Sequence, residues 1–116
     1  MTESVIQKTS KEFALKIIIL VQELQDKNQY VLAKQILRSG TSIGANVAES
    51  FYASSTADFI NKLNIAQKEA NETKYWLELL YESKIIAEEV YNELVGELMQ
   101  LIRMLGKSIV SNKNKI

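Results

Sequence analysis

Catalysis and metal binding begin with side chains that exchange protons, attack carbon or phosphorus, or hold a cation, and this sequence is short of them. Among its 116 residues there is no histidine and no cysteine. That removes Ser-His and Cys-His nucleophilic systems, histidine general bases, thiolate sites and disulfides together. Carboxylates remain, and helices could bring Glu49, Glu69 and Glu72 into one bundle interior. A di-metal carboxylate site of that kind takes a Glu-x-x-His motif from two helices, which this chain lacks. The expectation is structural carboxylates, paired or hydrogen-bonded, with no catalytic residue, no cofactor and no metal. A carboxylate-dependent enzyme would need all three in one accessible pocket. Gly40 and Gly44 do not sit between a strand and a helix, so they fail the context that a phosphate-cradling loop requires.

The least generic stretch runs from Gln35 to Leu80. At about 100° per residue, Gln35, Ser39, Ser42, Asn46 and Glu49 form a polar seam along a helix, with Arg38 on its outer edge. A buried seam must find hydrogen-bond partners. Its expected role is to fix helix register or subunit contacts, with Arg38 pairing Glu49, Glu69 or Glu72; the competing role is a small groove for a peptide or nucleotide. Beside it Ala33, Gly40, Gly44, Ala48 and Phe51 share a line, next to the apolar row Leu32, Ile36, Ile43 and Val47. Small residues there admit a close neighbouring helix.

The elements that position these residues follow from composition and period. With no proline, four glycines and 47% hydrophobic residues, the chain reads as one all-α domain, residues 1–116, folded as an antiparallel up-down four-helix bundle. The helices are expected at about 10–26, 30–52, 56–82 and 87–110. Residues 1–9 are a flexible lead or an extra turn, Ser10 is the expected first cap, and Ser55 or Thr56 caps the third helix with Asp58 in its first turn. The core stripes are Phe13, Ile17, Leu20, Val21 and Leu24; then Phe59, Leu63, Ala66, Ala70, Thr73, Leu77 and Tyr81; then Tyr91, Leu94, Leu98, Leu101, Leu105 and Ile109. Asp58 with Lys62, Lys68 with Glu72 and Lys74 with Glu78 have i,i+4 spacing. The tail from Ser111 should fray.

Two helices carry a second apolar face: Leu15, Ile18 and Ile19 on the first, Ile65, Trp76 and Leu79 on the third. A helix apolar on two sides needs two partners, so these six residues are the expected surface of a homo-oligomer. Fourteen basic and fourteen acidic residues give zero formal net charge, which argues against a general phosphate-binding surface. A local one would use Arg103, Lys107, Lys113 and Lys115, joined by Lys8, Lys11 and Lys16, with RNA or DNA as the partner. The longest apolar run, Ile17 to Val21, is far too short for a membrane span, so the expected location is cytoplasmic, with no membrane partner.

The run from Gln35 through Ser39-Gly40-Thr41-Ser42-Ile43-Gly44-Ala45-Asn46-Val47-Ala48-Glu49, followed by Asp58-Phe59-Ile60-Asn61-Lys62-Leu63 and by Ala66 through Trp76 to Leu80, resembles the bacterial four-helix-bundle family also called the 23S rRNA intervening-sequence protein family. The resemblance spans nearly the whole chain. It implies a left-handed up-down bundle that assembles as a homo-pentamer, with no established biochemical activity. Accessory proteins of diversity-generating retroelements look similar in fold and work with reverse transcriptase and nucleic acid, an analogy that supports RNA or DNA as partner. The expected function is therefore a non-enzymatic, homo-oligomeric binding or scaffolding protein of unknown protein partner. The alternative is a nucleic-acid-binding accessory protein of the rRNA-associated or reverse-transcriptase type.

Overall fold

The computed structural model describes residues 4–115. Four helices follow one another: α1 (Val5–Asp26), α2 (Tyr30–Ser50), α3 (Thr56–Glu82) and α4 (Glu88–Lys113). Each packs on the next and α4 returns to α1, so α1 and α3 stand on one diagonal and α2 and α4 on the other. Neighbours run antiparallel: Gly40 and Gly44 of α2 face Ile17 and Ser10 of α1, Glu49 and Arg38 of α2 reach Lys62 and Glu69 of α3, and Gly106 of α4 faces Gln67 of α3. The bundle measures 47 × 23 × 20 Å.

Local chemistry explains the ends. The first helix starts five residues before the expected Ser10, because Ser4 and Gln7 form a reciprocal cap: the Gln7 amide donates to Ser4 Oγ at 3.2 Å and the Ser4 amide to Gln7 Oε1 at 2.9 Å. Such a capping box satisfies two amides that would otherwise lack acceptors. Ser10 is buried inside the helix, its hydroxyl donating to the Gln7 carbonyl. The part of the expected lead that covers Met1 to Glu3 lies outside the described residues. Ser55 caps α3, accepting from the Asp58 amide at 3.0 Å, while Asp58 Oδ2 accepts from the Ser54 amide at 3.1 Å. Asn28, with φ of 62°, turns the chain between α1 and α2. Helix α2 stops at Ser50, two residues short of the expected end, and α4 continues through Ser111 to Lys113 where fraying was expected.

The core runs the length of the bundle through Phe13, Ile17 and Leu24 of α1, Ile36, Ile43 and Val47 of α2, Leu63 and Leu77 of α3, and Leu98, Leu101 and Leu105 of α4. Two details differ from the expected core stripes. The buried stripe of α3 ends on Ile60 and Leu80, while Phe59 and Tyr81 are only half-buried. Tyr91 of α4 is likewise half-buried, stacked on Tyr81 with ring centroids 4.5 Å apart.

Candidate functional site

The exposed side of the polar seam on α2 faces α3 across a groove that ion pairs span. Arg38 bridges it: Nη1 donates to Glu69 Oε2 at 3.1 Å and Nη2 donates to Glu72. Glu72 Oε2 also accepts from the Trp76 indole N–H at 3.0 Å, and Lys62 reaches Glu49 at 3.2 Å. The expected pairing of Arg38 is thus met by Glu69 and Glu72. Glu49 takes a different partner, Lys62, so the three carboxylates do not converge as one set: Glu69 and Glu72 share Arg38 and Glu49 stands apart. The i,i+4 pairs expected for Lys62 and Glu72 give way to these contacts across the groove, where a cation on the next helix lies closer than one on the same helix.

The seam itself divides. Ser39 is buried and shares a 2.9 Å hydroxyl hydrogen bond with buried Thr73, tying α2 to α3 inside the core. Ser42 and Asn46 donate instead to carbonyls one turn back on their own helix, those of Arg38 and Ser42. A polar group satisfied by its own backbone asks nothing of a partner. Gln35 is half-buried, and Arg38 and Glu49 are exposed. Among the described residues, no group of three or more histidine, cysteine, aspartate or glutamate side chains is arranged to hold a metal ion.

On the other side of α2 the small residues admit α1. A Cβ on Gly40 would lie 2.9 Å from both γ carbons of Ile17, and one on Gly44 would lie 3.3 Å from the Ser10 carbonyl oxygen. Phe51, read as the end of that line, instead turns outward and meets Phe59 edge-on at 6.0 Å. Ala48 is also exposed, bordering a shallow groove with Gln7, Lys11 and Ala14.

The six apolar residues expected at an oligomer surface fall into two groups. Leu15, Ile18, Ile19 and Leu79 are exposed, Leu15 and Ile19 at more than half of their area. Ile65 and Trp76 are half-buried, and Trp76 packs against the core. Tyr75, 54% exposed and edge-on to Trp76 at 5.3 Å, joins Leu79 on the outer face of α3. Its polar hydroxyl hid it from a search for aliphatic stripes.

Charge is distributed unevenly along the axis. The end holding the start of α1, the α2–α3 turn and the end of α4 carries seven cations, Lys8, Lys11, Lys62, Arg103, Lys107, Lys113 and Lys115, against Glu12, Glu49 and Asp58 among the described residues. The opposite end carries seven carboxylates, from Glu23 and Asp26, Glu78 and Glu82, and Glu88, Glu89 and Glu93, against four lysines. Lys16, grouped with the basic cluster in the sequence, is removed from it: its ammonium lies 3.1 Å from Glu93 and also binds Glu97, both on α4. The hydrogen bonds it donates to Glu97 and then to Glu93 raise its pKa above the usual 10.5.

The family model for 23S rRNA-intervening sequence proteins matches residues 2–107. The chain belongs to that family. A solved structure from Bacteroides thetaiotaomicron, described as a protein of unknown function from the S23 ribosomal protein family, shares 49% identity with it over 90% of this chain and 98% of that one, with a TM-score of 0.89. No functionally curated protein matches. The family therefore fixes the four-helix fold and leaves the activity open. Among the described residues no helix is long and apolar enough to cross a membrane.

Proposed function

We propose that this family member is a non-enzymatic scaffold that works as a homo-oligomeric ring, with five copies as the number that the family resemblance implies. The supporting observation is the pair of exposed apolar faces on diagonally opposed helices, Leu15 and Ile19 on α1 and Tyr75 and Leu79 on α3. An isologous dimer would use one face twice and leave the other in water. A heterologous contact, α1 of one copy on α3 of the next, covers both, and such contacts form a ring when the rotation between copies closes. The neutralisation of Glu69 and Glu72 by one Arg38, with Glu49 apart on Lys62, argues against a carboxylate enzyme.

Light scattering at near-physiological salt tests the reading, with wild type beside Ile19→Glu and Leu79→Glu. Both positions are exposed, so the substitutions spare the core, unlike any change at Trp76, which packs on it. The expected result is a wild-type oligomer that either variant reduces to folded smaller species. A wild-type monomer, or an oligomer indifferent to both charges, would defeat it.

A further inference from the structure

Two cations of the bundle waist are neutralised by neighbours, Lys16 by Glu93 and Glu97 and Arg38 by Glu69 and Glu72, as is Lys62 by Glu49 near the basic end. Five cations of the basic end stand outside these pairs. Lys8, Arg103, Lys107, Lys113 and Lys115 are exposed and make no ion pair with any described residue. Among the described residues the cations of this end outnumber its carboxylates, so in a chain of zero net charge this end carries a positive potential. Two aromatic rings stand in that field. Tyr52, at the α2–α3 turn, is 89% exposed, and Phe51 beside it is 46% exposed, held edge-on by Phe59. The same turn meets α4 where Asn112 borders Phe51 and Phe59, next to Lys113. A tyrosine left in water at a turn gives up apolar burial, and a planar ligand would recover it.

Exposed rings among unpaired cations are the two parts of a single-strand nucleic-acid surface: cations follow the backbone phosphates, and rings stack on unpaired bases irrespective of sequence. A folded acidic protein would not need free ring faces. We infer that the basic end of the bundle binds single-stranded nucleic acid, with Tyr52 and Phe51 as base-stacking platforms and Arg103, Lys107, Lys113 and Lys115 as the phosphate contacts. All of these groups lie on one copy, so the surface does not depend on the ring proposed above.

The test is fluorescence anisotropy of the full-length protein with a fluorescein-labelled oligo-uridine of about 20 nucleotides, enough to cover one or two sites, against an unlabelled mixed-sequence duplex of the same length and against heparin. Lys107→Glu with Lys113→Glu should weaken binding at least tenfold and flatten the fall of affinity with salt, since each lost phosphate contact lowers that slope by roughly 0.7. Tyr52→Ala should weaken single-strand binding by about fivefold or more while leaving the salt slope unchanged, because stacking releases no counterion. Lys84→Glu, at the acidic end, should change nothing, and circular dichroism of each variant checks the fold. No binding at 50 mM salt overturns the proposal. So does competition by duplex or heparin as strong as by single strand with Tyr52→Ala unaffected, which would mark attraction for any polyanion, and so does equal weakening by Lys84→Glu.

Discussion

Replacing Gly40 by alanine isolates the packing that joins α1 to α2. Inside a helix, exchanging glycine for alanine is favourable by about 1 kcal/mol, and Gly96, exposed on α4 with nothing within 4 Å of where an added methyl would lie, should show that gain undiminished. At Gly40 the new Cβ lands 2.9 Å from Cγ1 and from Cγ2 of Ile17. Ile17 is fully buried, and a β-branched side chain in a helix has one strongly preferred χ1, so it cannot swing aside; the helices must part. Overpacking of this kind costs about 1–3 kcal/mol. With both branches struck, the upper part of that range applies, and after the helix gain Gly40→Ala should lose about 2 kcal/mol. Urea unfolding followed by circular dichroism, at one protein concentration because assembly shifts apparent stability, gives the comparison. In an Ile17→Ala background, itself costing about 2–5 kcal/mol, both γ carbons are gone and Gly40→Ala should turn favourable. Equal stabilisation by Gly40→Ala and Gly96→Ala, or an unchanged penalty in the Ile17→Ala background, would refute the close-approach argument.

Three other outcomes are expected. Thr73→Val strands the buried Ser39 hydroxyl and should cost about 1–3 kcal/mol, whereas Ser39→Ala leaves Thr73 donating to the Glu69 carbonyl and should cost less; in the Ser39→Ala background Thr73→Val should cost clearly less than alone, and an unchanged loss in urea unfolding would mean that their 2.9 Å hydrogen bond does not couple α2 to α3. Arg38→Ala, despite its two carboxylate partners, should cost less than about 1 kcal/mol because the side chain is half exposed, and the loss should shrink in 1 M salt, where charges are screened over about 3 Å; a salt-independent loss would contradict this. Burial, then the nearby Glu78 and Glu82, raises the Tyr91 pKa above the usual 10.0. The folded state therefore keeps a proton that the unfolded chain releases, and stability, complete below pH 10, falls as pH rises through the folded value. Tyr91→Phe should make that alkaline decline shallower, read by thermal melts across pH 9 to 12, and an identical decline would exclude Tyr91 as a source.

The fold was legible because the apolar period is carried by large side chains: Phe13, Ile17 and Leu24, or Leu98, Leu101 and Leu105, leave one way to bury a helix. The glycines were legible for the related reason that Gly40 and Gly44 share a helical line. Ends were less so, since Ser4 and Ser10 are equally good caps by type and only the partnership of Ser4 with Gln7 decides between them. Pairings across the groove were the least accessible. Sequence spacing ranks Lys62 with Asp58 and Lys68 with Glu72, whereas the structure gives Glu49 to Lys62 and Arg38 to Glu72, because inter-helix offset is set by the core and not by charge. The removal of Lys16 from the basic cluster has the same origin: core packing sets it opposite Glu93 and Glu97.

The axial polarity of charge needs no special device. On α4 the early carboxylates Glu88 and Glu89 and the late Lys113 each suit the helix dipole. Antiparallel packing then places the end of α4 beside the start of α1, where Lys8 and Lys11 lie, and its start beside Glu23 and Asp26 of α1 and Glu78 and Glu82 of α3. One helix's preference is thereby reinforced by its neighbours. The exposed apolar residues Leu15 and Ile19 lie around the waist, between the charged ends. That separation lets assembly and electrostatic binding use different parts of one small bundle. In a cyclic ring every copy is related by rotation about a single axis, so bundles standing along that axis would all present Arg103, Lys107 and Tyr52 on the same side. Rotation alone would then multiply the basic surface by the number of copies, and a nucleic acid long enough to cross several copies would bind with an avidity that no single bundle provides.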